Sequence, residues 1–216
     1  HGRMMMSAYN EWYLEDATCN LGEFFDYMVH DLKVNIDQAF EWLAYSATGH
    51  HFENGNPAFL GGMSGVELAR KLIYELTGDR IATPPTQDID RSPEYWTGWS
   101  LANYQWRSER RFSEMIEKGL TASRVCDMYI LHEADASKFY ETAEVIISES
   151  EQMKSSRIKR LRAYYGYTQK QLSEASGVSL RMIQLYEQGQ NDLSKAQADV
   201  VKSLAKSLGC TMEDLV

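Results

Sequence analysis

Arg181 and Gln184 are of residue types that can hydrogen-bond the edge of a nucleobase. A guanidinium forks onto O6 and N7 of guanine, and a primary amide pairs bidentately with adenine. Both stand on a short predicted helix, Leu180 to Gln188, closed by Gly189. Other constellations carry the residue types of metal binding or acid–base chemistry: His50-His51 beside Glu53, His132-Glu133 near Asp135, and His30-Asp31. None has zincin spacing or the separated His/Cys pairs of a structural zinc site. The sequence contains no phosphate-binding loop, nucleophile elbow or recognisable Ser/Lys pair. The expectation is a chain without catalytic residues, metal or cofactor. Tyr95, Trp96, Trp99, Tyr104 and Trp106 fall within one predicted helix. Such a cluster fills a core, as aromatic rings commonly do, or lines a pocket or partner surface.

The helix that carries this pair must be held by what precedes it. Thr168 can N-cap a helix, with Gln171 three residues on as in a capping box. Leu172 and Ala175 are expected to face inward from that helix, and Val178 to plug the corner after it. Gly177 falls where a chain leaving a helix needs a left-handed backbone. Ser179 then caps the next helix, whose Ile183 and Tyr186 should point back to the core. Two short helices joined by so tight a turn make a wedge whose second helix fits the DNA major groove.

Residues 156–216 resemble the Cro/C1-type (XRE) helix-turn-helix family. The matching pieces are Ile158-x-x-Leu161-Arg162, Thr168-Gln169-x-x-Leu172, Ser176-Gly177-Val178-Ser179, Ile183-x-x-Tyr186-Glu187-x-Gly189 and Leu204-Ala205-x-x-Leu208-Gly209, with Thr211 to Leu215 as the ending. The resemblance implies a five-helix, lambda-repressor-like bundle that binds double-stranded DNA. It implies that Gln169 touches a phosphate while bracing the reader helix. It also implies that Ser179, Leu180, Arg181, Gln184 and Leu185 face base edges or phosphates. The two leucines depart from the polar residues usual there, and either pack on thymine methyls or leave one of them partly buried. Asn191 and Lys195 flank the following loop, where backbone N–H groups and a helix N-terminus suit phosphate. Arg157 and Arg160 add flanking positive charge.

Charge divides the chain at the same place. From Lys154 onward ten Lys+Arg stand against six Asp+Glu, a net of +4. The preceding residues hold twelve against twenty-five, a net of −13. A surface that meets phosphate must offset its charge, so the basic segment is the candidate DNA-binding module on an otherwise acidic chain. Hydrophobic residues make up 44% of the 216, enough for two modest cores. No apolar run approaches the length of a membrane span. The three cysteines lie far apart without a CxxC, which suits reduced thiols and a cytoplasmic setting. His1-Gly2-Arg3 ahead of Met4 reads as a scar of expression, and no secretory leader follows it.

The patterning is helical throughout, so the expected fold is all-α. Trp12, Leu14, Leu21, Phe24, Phe25, Tyr27, Met28 and Leu32 recur at helical spacing, with Asn20-Leu21-Gly22 as a candidate break. Asn35 caps a predicted helix running towards Thr48-Gly49, and residues 50–62 read as turn-rich. Ser64-Gly65-Val66-Glu67 is a capping box for a helix ending at Thr77-Gly78. Residues 79–91 hold a Pro84-Pro85 loop, and Ser92-Pro93-Glu94 opens the next helix. Shorter helices are predicted over 109–119 and 121–131, and a longer one from 134. The expected domains are an acidic all-α sensing or docking domain over 4–147, a linker or helix extension over 148–155, and the DNA-binding domain over 156–216.

Two roles fit these features. One is a transcriptional regulator, acting as a repressor, whose acidic domain senses a small effector or docks a protein partner. The other is an antitoxin, whose acidic domain clamps a basic toxin while the helix-turn-helix represses the shared operon. A homodimer on a two-fold operator follows for either, because one such domain makes few base contacts.

Overall fold

A computed structural model describes residues 7–86 and 91–216, with no side-chain description at 154–156. The expectations for residues 1–6, the scar and the start of the first domain, lie outside the described residues. The described residues form twelve α-helices and no strand, so the chain is all-α. They divide into two compact units, His1–Val145 and Ile146–Val216, with the division inside the long helix α9 (Ala136–Tyr164). Residues 148–155 continue that helix.

The N-terminal unit is built on α1 (Leu14–Asp26), which runs on through a π-helical turn, Tyr27–Asp31. Its most extensive partner is α6 (Pro93–Ser108). The expected break at Asn20-Leu21-Gly22 is absent: α1 passes through it unbroken. These glycines serve approach. A Cβ on Gly98 would lie 2.1 Å from the Leu21 carbonyl oxygen, and one on Gly22 would lie 2.9 Å from the Tyr95 backbone. Trp12 also departs from its expected inward face; it lies ahead of α1 in a single 3-10 turn and is exposed.

Around this pair pack α2 (Ile36–Ala44), α3 (Ala47–Glu53), α4 (Pro57–Leu60) and α5 (Gly65–Thr77). The helix opened by Asn35 stops at Ala44, short of Thr48-Gly49. Ser46 restarts the chain by accepting the Gly49 N–H at 2.9 Å. The segment 50–62 therefore holds helix where turns were expected. Asn56-Pro57, a turn signal in isolation, is here a cap followed by proline at the first helical position. The capping box of Ser64 and Glu67 is formed, and Gly78 ends α5 with a left-handed φ of 76°. Residues 79–86 have no regular structure; Tyr27 Oη and Arg70 Nη2 both donate to the Thr83 carbonyl oxygen. Residues 87–90 of that expected loop lie outside the described residues.

Helices α7 (Phe112–Glu117) and α8 (Ala122–Asp127) are shorter than their predicted spans, and a 3-10 turn, Tyr129–Glu133, leads to α9. The core is aromatic. Phe24, Phe25, Phe40 and Phe112 meet edge to face with centroids 5.2–5.9 Å apart. Each such contact adds about 0.5–1.5 kcal/mol beyond burial itself.

The C-terminal unit packs the end of α9 with α10 (Gln169–Ser176), α11 (Leu180–Glu187), a 3-10 turn (Leu193–Lys195) and α12 (Ala198–Ser207). Ile158, Leu172, Val178, Ile183, Tyr186, Leu204 and Leu208 are among the residues of its core. A final turn is closed by Thr211 and Asp214, each accepting the other's backbone N–H. None of the helices is long and apolar enough to cross a membrane, among the described residues.

Candidate functional site

The interface is set by local rules. Thr168 and Gln171 form the reciprocal capping box that starts α10. Gly177 leaves α10 at a φ of 72°, and its N–H donates to the Ser173 carbonyl oxygen at 2.9 Å. Ser173 Oγ donates to the Val178 carbonyl oxygen at 2.7 Å, while Ser176 Oγ accepts the Val178 N–H at 3.2 Å. The corner between the helices is thus fixed by two serines and a buried valine. Ala175, expected to face inward, is exposed. Leu172, Ser173 and Ser176 take the inward arc, and Ala175 lies about 100° round from its middle at helical pitch.

Ser179 caps α11 by accepting the Met182 N–H at 3.3 Å. With Ile183 and Tyr186 buried beneath, α11 presents Arg181 and Leu180 to solvent and keeps Gln184 and Leu185 half-buried beside them. In the following loop the N–H groups of Gln190 and Asn191 both fold back onto the Leu185 carbonyl oxygen. The N–H of Lys195 is likewise taken by the Asp192 carbonyl oxygen. The N–H groups of Gln190, Asn191 and Lys195 are therefore already used. What Asn191 and Lys195 leave exposed is their side chains.

Sequence reasoning missed the clamp that holds α11. Glu187 is buried at the end of α11, and its carboxylate accepts three hydrogen bonds. Arg162 donates through Nε at 2.5 Å and Nη2 at 3.1 Å, and Gln169 donates through Nε2 at 2.7 Å. Arg162 Nη1 further donates to the Tyr167 carbonyl oxygen at 2.7 Å. The hydrogen bond to Glu187 raises the Arg162 pKa and holds the guanidinium charged. One network thus joins the end of α9, the start of α10 and the end of α11. Gln169 is held against α11 by this bond, which fixes where its backbone and helix start sit. Arg162 and Glu187 each fell inside a motif piece, but nothing in their separation of 25 residues marks them as a pair.

The aromatic residues of α6 part into three settings. Tyr104 is fully buried and donates its hydroxyl to Glu144 at 2.5 Å, and burial and that carboxylate raise its pKa well above the tyrosine range. Trp106 donates Nε1 to the Tyr9 carbonyl oxygen at 2.7 Å, tying down the start of the chain's described part. Tyr95, Trp96 and Trp99 line a cavity of about 270 Å³, which α6 forms with the 3-10 turn at Tyr129 and the start of α9. The aromatic cluster is thus part core, part brace and part cavity wall.

The histidine constellations go elsewhere. His51 stacks on Phe59 with centroids 4.7 Å apart, and His132 stacks on Tyr129 at 4.1 Å. His30 Nε2 meets Glu94 at 2.8 Å across the α1–α6 pair, and that hydrogen bond raises its pKa. Among the described residues, no group of three His, Cys, Asp or Glu side chains is placed to hold a metal ion.

Comparison with known proteins bears on the C-terminal unit. Residues 158–215 match the family model described as Helix-turn-helix. That segment is an XRE-family helix-turn-helix, a DNA-binding domain found in regulators. Neither curated proteins nor solved structures give a match to the chain.

Proposed function

We propose that this chain is a sequence-specific operator-binding repressor whose N-terminal unit sets its occupancy of DNA. The observation that carries the reading is the presentation of α11. A buried, fully hydrogen-bonded clamp fixes its frame while Arg181 and Gln184 are left on the outer side. In this reading Arg181 and Gln184 contact base edges, Leu180 and Leu185 pack on thymine methyls, and Ser179 and Gln169 meet phosphate at their helix starts. Asn191 and Lys195 add phosphate contacts through their side chains. Two copies bind as a homodimer on a two-fold site, with half-sites about 34 Å apart. The setting is the cytoplasm, and repression follows from occluding a promoter. No step of this reading calls for catalysis or a cofactor.

Tuning requires that a ligand of the N-terminal unit bind the free and DNA-bound forms with different affinity. The cavity beside Trp96 and Trp99 favours a small effector over a toxin, because a toxin surface calls for an exposed patch and not a hollow. The test is a salt titration of the full chain on its own upstream DNA beside a scrambled duplex. Tight, selective binding with a steep negative salt slope supports the reading. Equal, weak binding to both duplexes counts against it.

A further inference from the structure

We propose that the cavity of the N-terminal unit is a binding site for a small planar aromatic carboxylate. Its walls are flat and apolar, with Tyr95, Trp96, Trp99, Tyr129 and Phe139 among them. Trp96 is held edge-on by Phe139 at 5.6 Å and by Tyr129 at 6.0 Å, so that wall exists before any ligand arrives. At about 270 Å³ the space lies just below the roughly 300–1,000 Å³ of drug-sized sites and suits one ring with a short substituent.

Its polar groups are few and particular. Ser100 lines the cavity and is only 1% exposed, yet its Oγ has no hydrogen-bond partner. A buried hydroxyl left in that state costs free energy that a polar atom on a ligand recovers. His132 donates Nδ1–H to the Tyr129 carbonyl oxygen at 2.7 Å, since a carbonyl can only accept. Charge then decides the sign of the ligand. The sequence up to residue 153 is strongly acidic, but among the described residues no Asp or Glu lines this cavity. Among the described residues Arg91 is its one fixed charge, with the guanidinium 4.7 Å from the Tyr95 ring centroid. A cation would find aromatic faces but meet Arg91; a carboxylate finds both a ring-shaped slot and a guanidinium to fork onto.

The site gives the effector of the sensing role its chemical class. It rests on that role only for the coupling to DNA, since binding is read without DNA. The probes share one ring and differ in charge: cinnamate, cinnamylamine and cinnamyl alcohol, titrated calorimetrically into the full chain. Cinnamate is expected to bind one per chain, the alcohol about tenfold more weakly, and the amine not at all. Arg91→Gln should weaken cinnamate about tenfold and leave the alcohol unchanged. Ser100→Ala should weaken both, and Trp99→Ala should abolish both, with circular dichroism reporting the fold of each variant. No heat from cinnamate up to millimolar concentration, equal binding of all three probes, or cinnamate binding untouched by Arg91→Gln overturns the proposal. A second titration, on the operator duplex with and without cinnamate, separates the two claims. Cinnamate binding that leaves DNA affinity unchanged removes the sensing role and keeps the site. Loss of DNA selectivity in every condition removes the operator reading alone.

Discussion

The two units handle buried polarity in opposite ways. In the C-terminal unit the buried carboxylate of Glu187 accepts bonds from Arg162 and Gln169, and the corner serines are paired as well. In the N-terminal unit Ser100 Oγ is buried beside a hollow with nothing bonded to it. A satisfied network costs much to disturb, so the C-terminal unit holds α11 in a fixed frame. The N-terminal unit holds part of its bonding capacity in reserve. A helix held in a fixed frame and a hollow left open thus differ in how they treat the same polar groups.

The comparison can be broken most sharply at the clamp. Arg162→Ala leaves Glu187 buried and unpaired, and breaking such a pair costs about 3–5 kcal/mol. The expected result is loss of the C-terminal unit's thermal transition with little change in the N-terminal one, measured by calorimetry of the full chain. In the N-terminal unit the equivalent blow is steric. Gly98→Ala sets a methyl against the Leu21 carbonyl oxygen, a backbone atom that cannot swing aside. Overpacking of this kind costs roughly 1–3 kcal/mol, read as a lower urea midpoint for that unit.

These two sites also show what the sequence could and could not convey. The caps at Ser64, Thr168 and Ser179 and the left-handed turns at Gly78 and Gly177 were legible because each is decided within four residues. Gly22 read as a break because its use lies on α6, more than seventy residues on. Residues 50–62 read as turns because Asn56-Pro57 starts a helix only when α4 has something to pack against. Ala175 was placed inward by spacing alone, although the inward arc belongs to two serines that bond the corner. Helix α11 and its exposed face were legible from local pattern and family resemblance. The clamp and the cavity were not, since both join residues brought together only by the fold.

Smaller effects sharpen the contrast. Ser179→Ala removes the cap of α11 and is expected to cost about 1 kcal/mol of stability in the C-terminal unit, measurable by chemical denaturation. His30→Ala tests the ion pair with Glu94. Because the His30 pKa is raised in the folded chain, its contribution is fully present below the unfolded value of about 6.5. It is lost as pH rises through the folded value. With His30 about half exposed, the effect is under about 1 kcal/mol. The stability gap between wild type and His30→Ala should therefore be larger at pH 5.5 than at pH 8.

The central claim, that α11 reads base sequence, is tested most directly by the double variant Arg181→Ala, Gln184→Ala. Its affinity should be measured on the upstream duplex and on a scrambled duplex at one salt concentration. The expected result is loss of selectivity, with about 1–3 kcal/mol per removed base contact on the upstream duplex and little change on the scrambled one. An unchanged preference for the upstream duplex, or an equal loss on both, would contradict it.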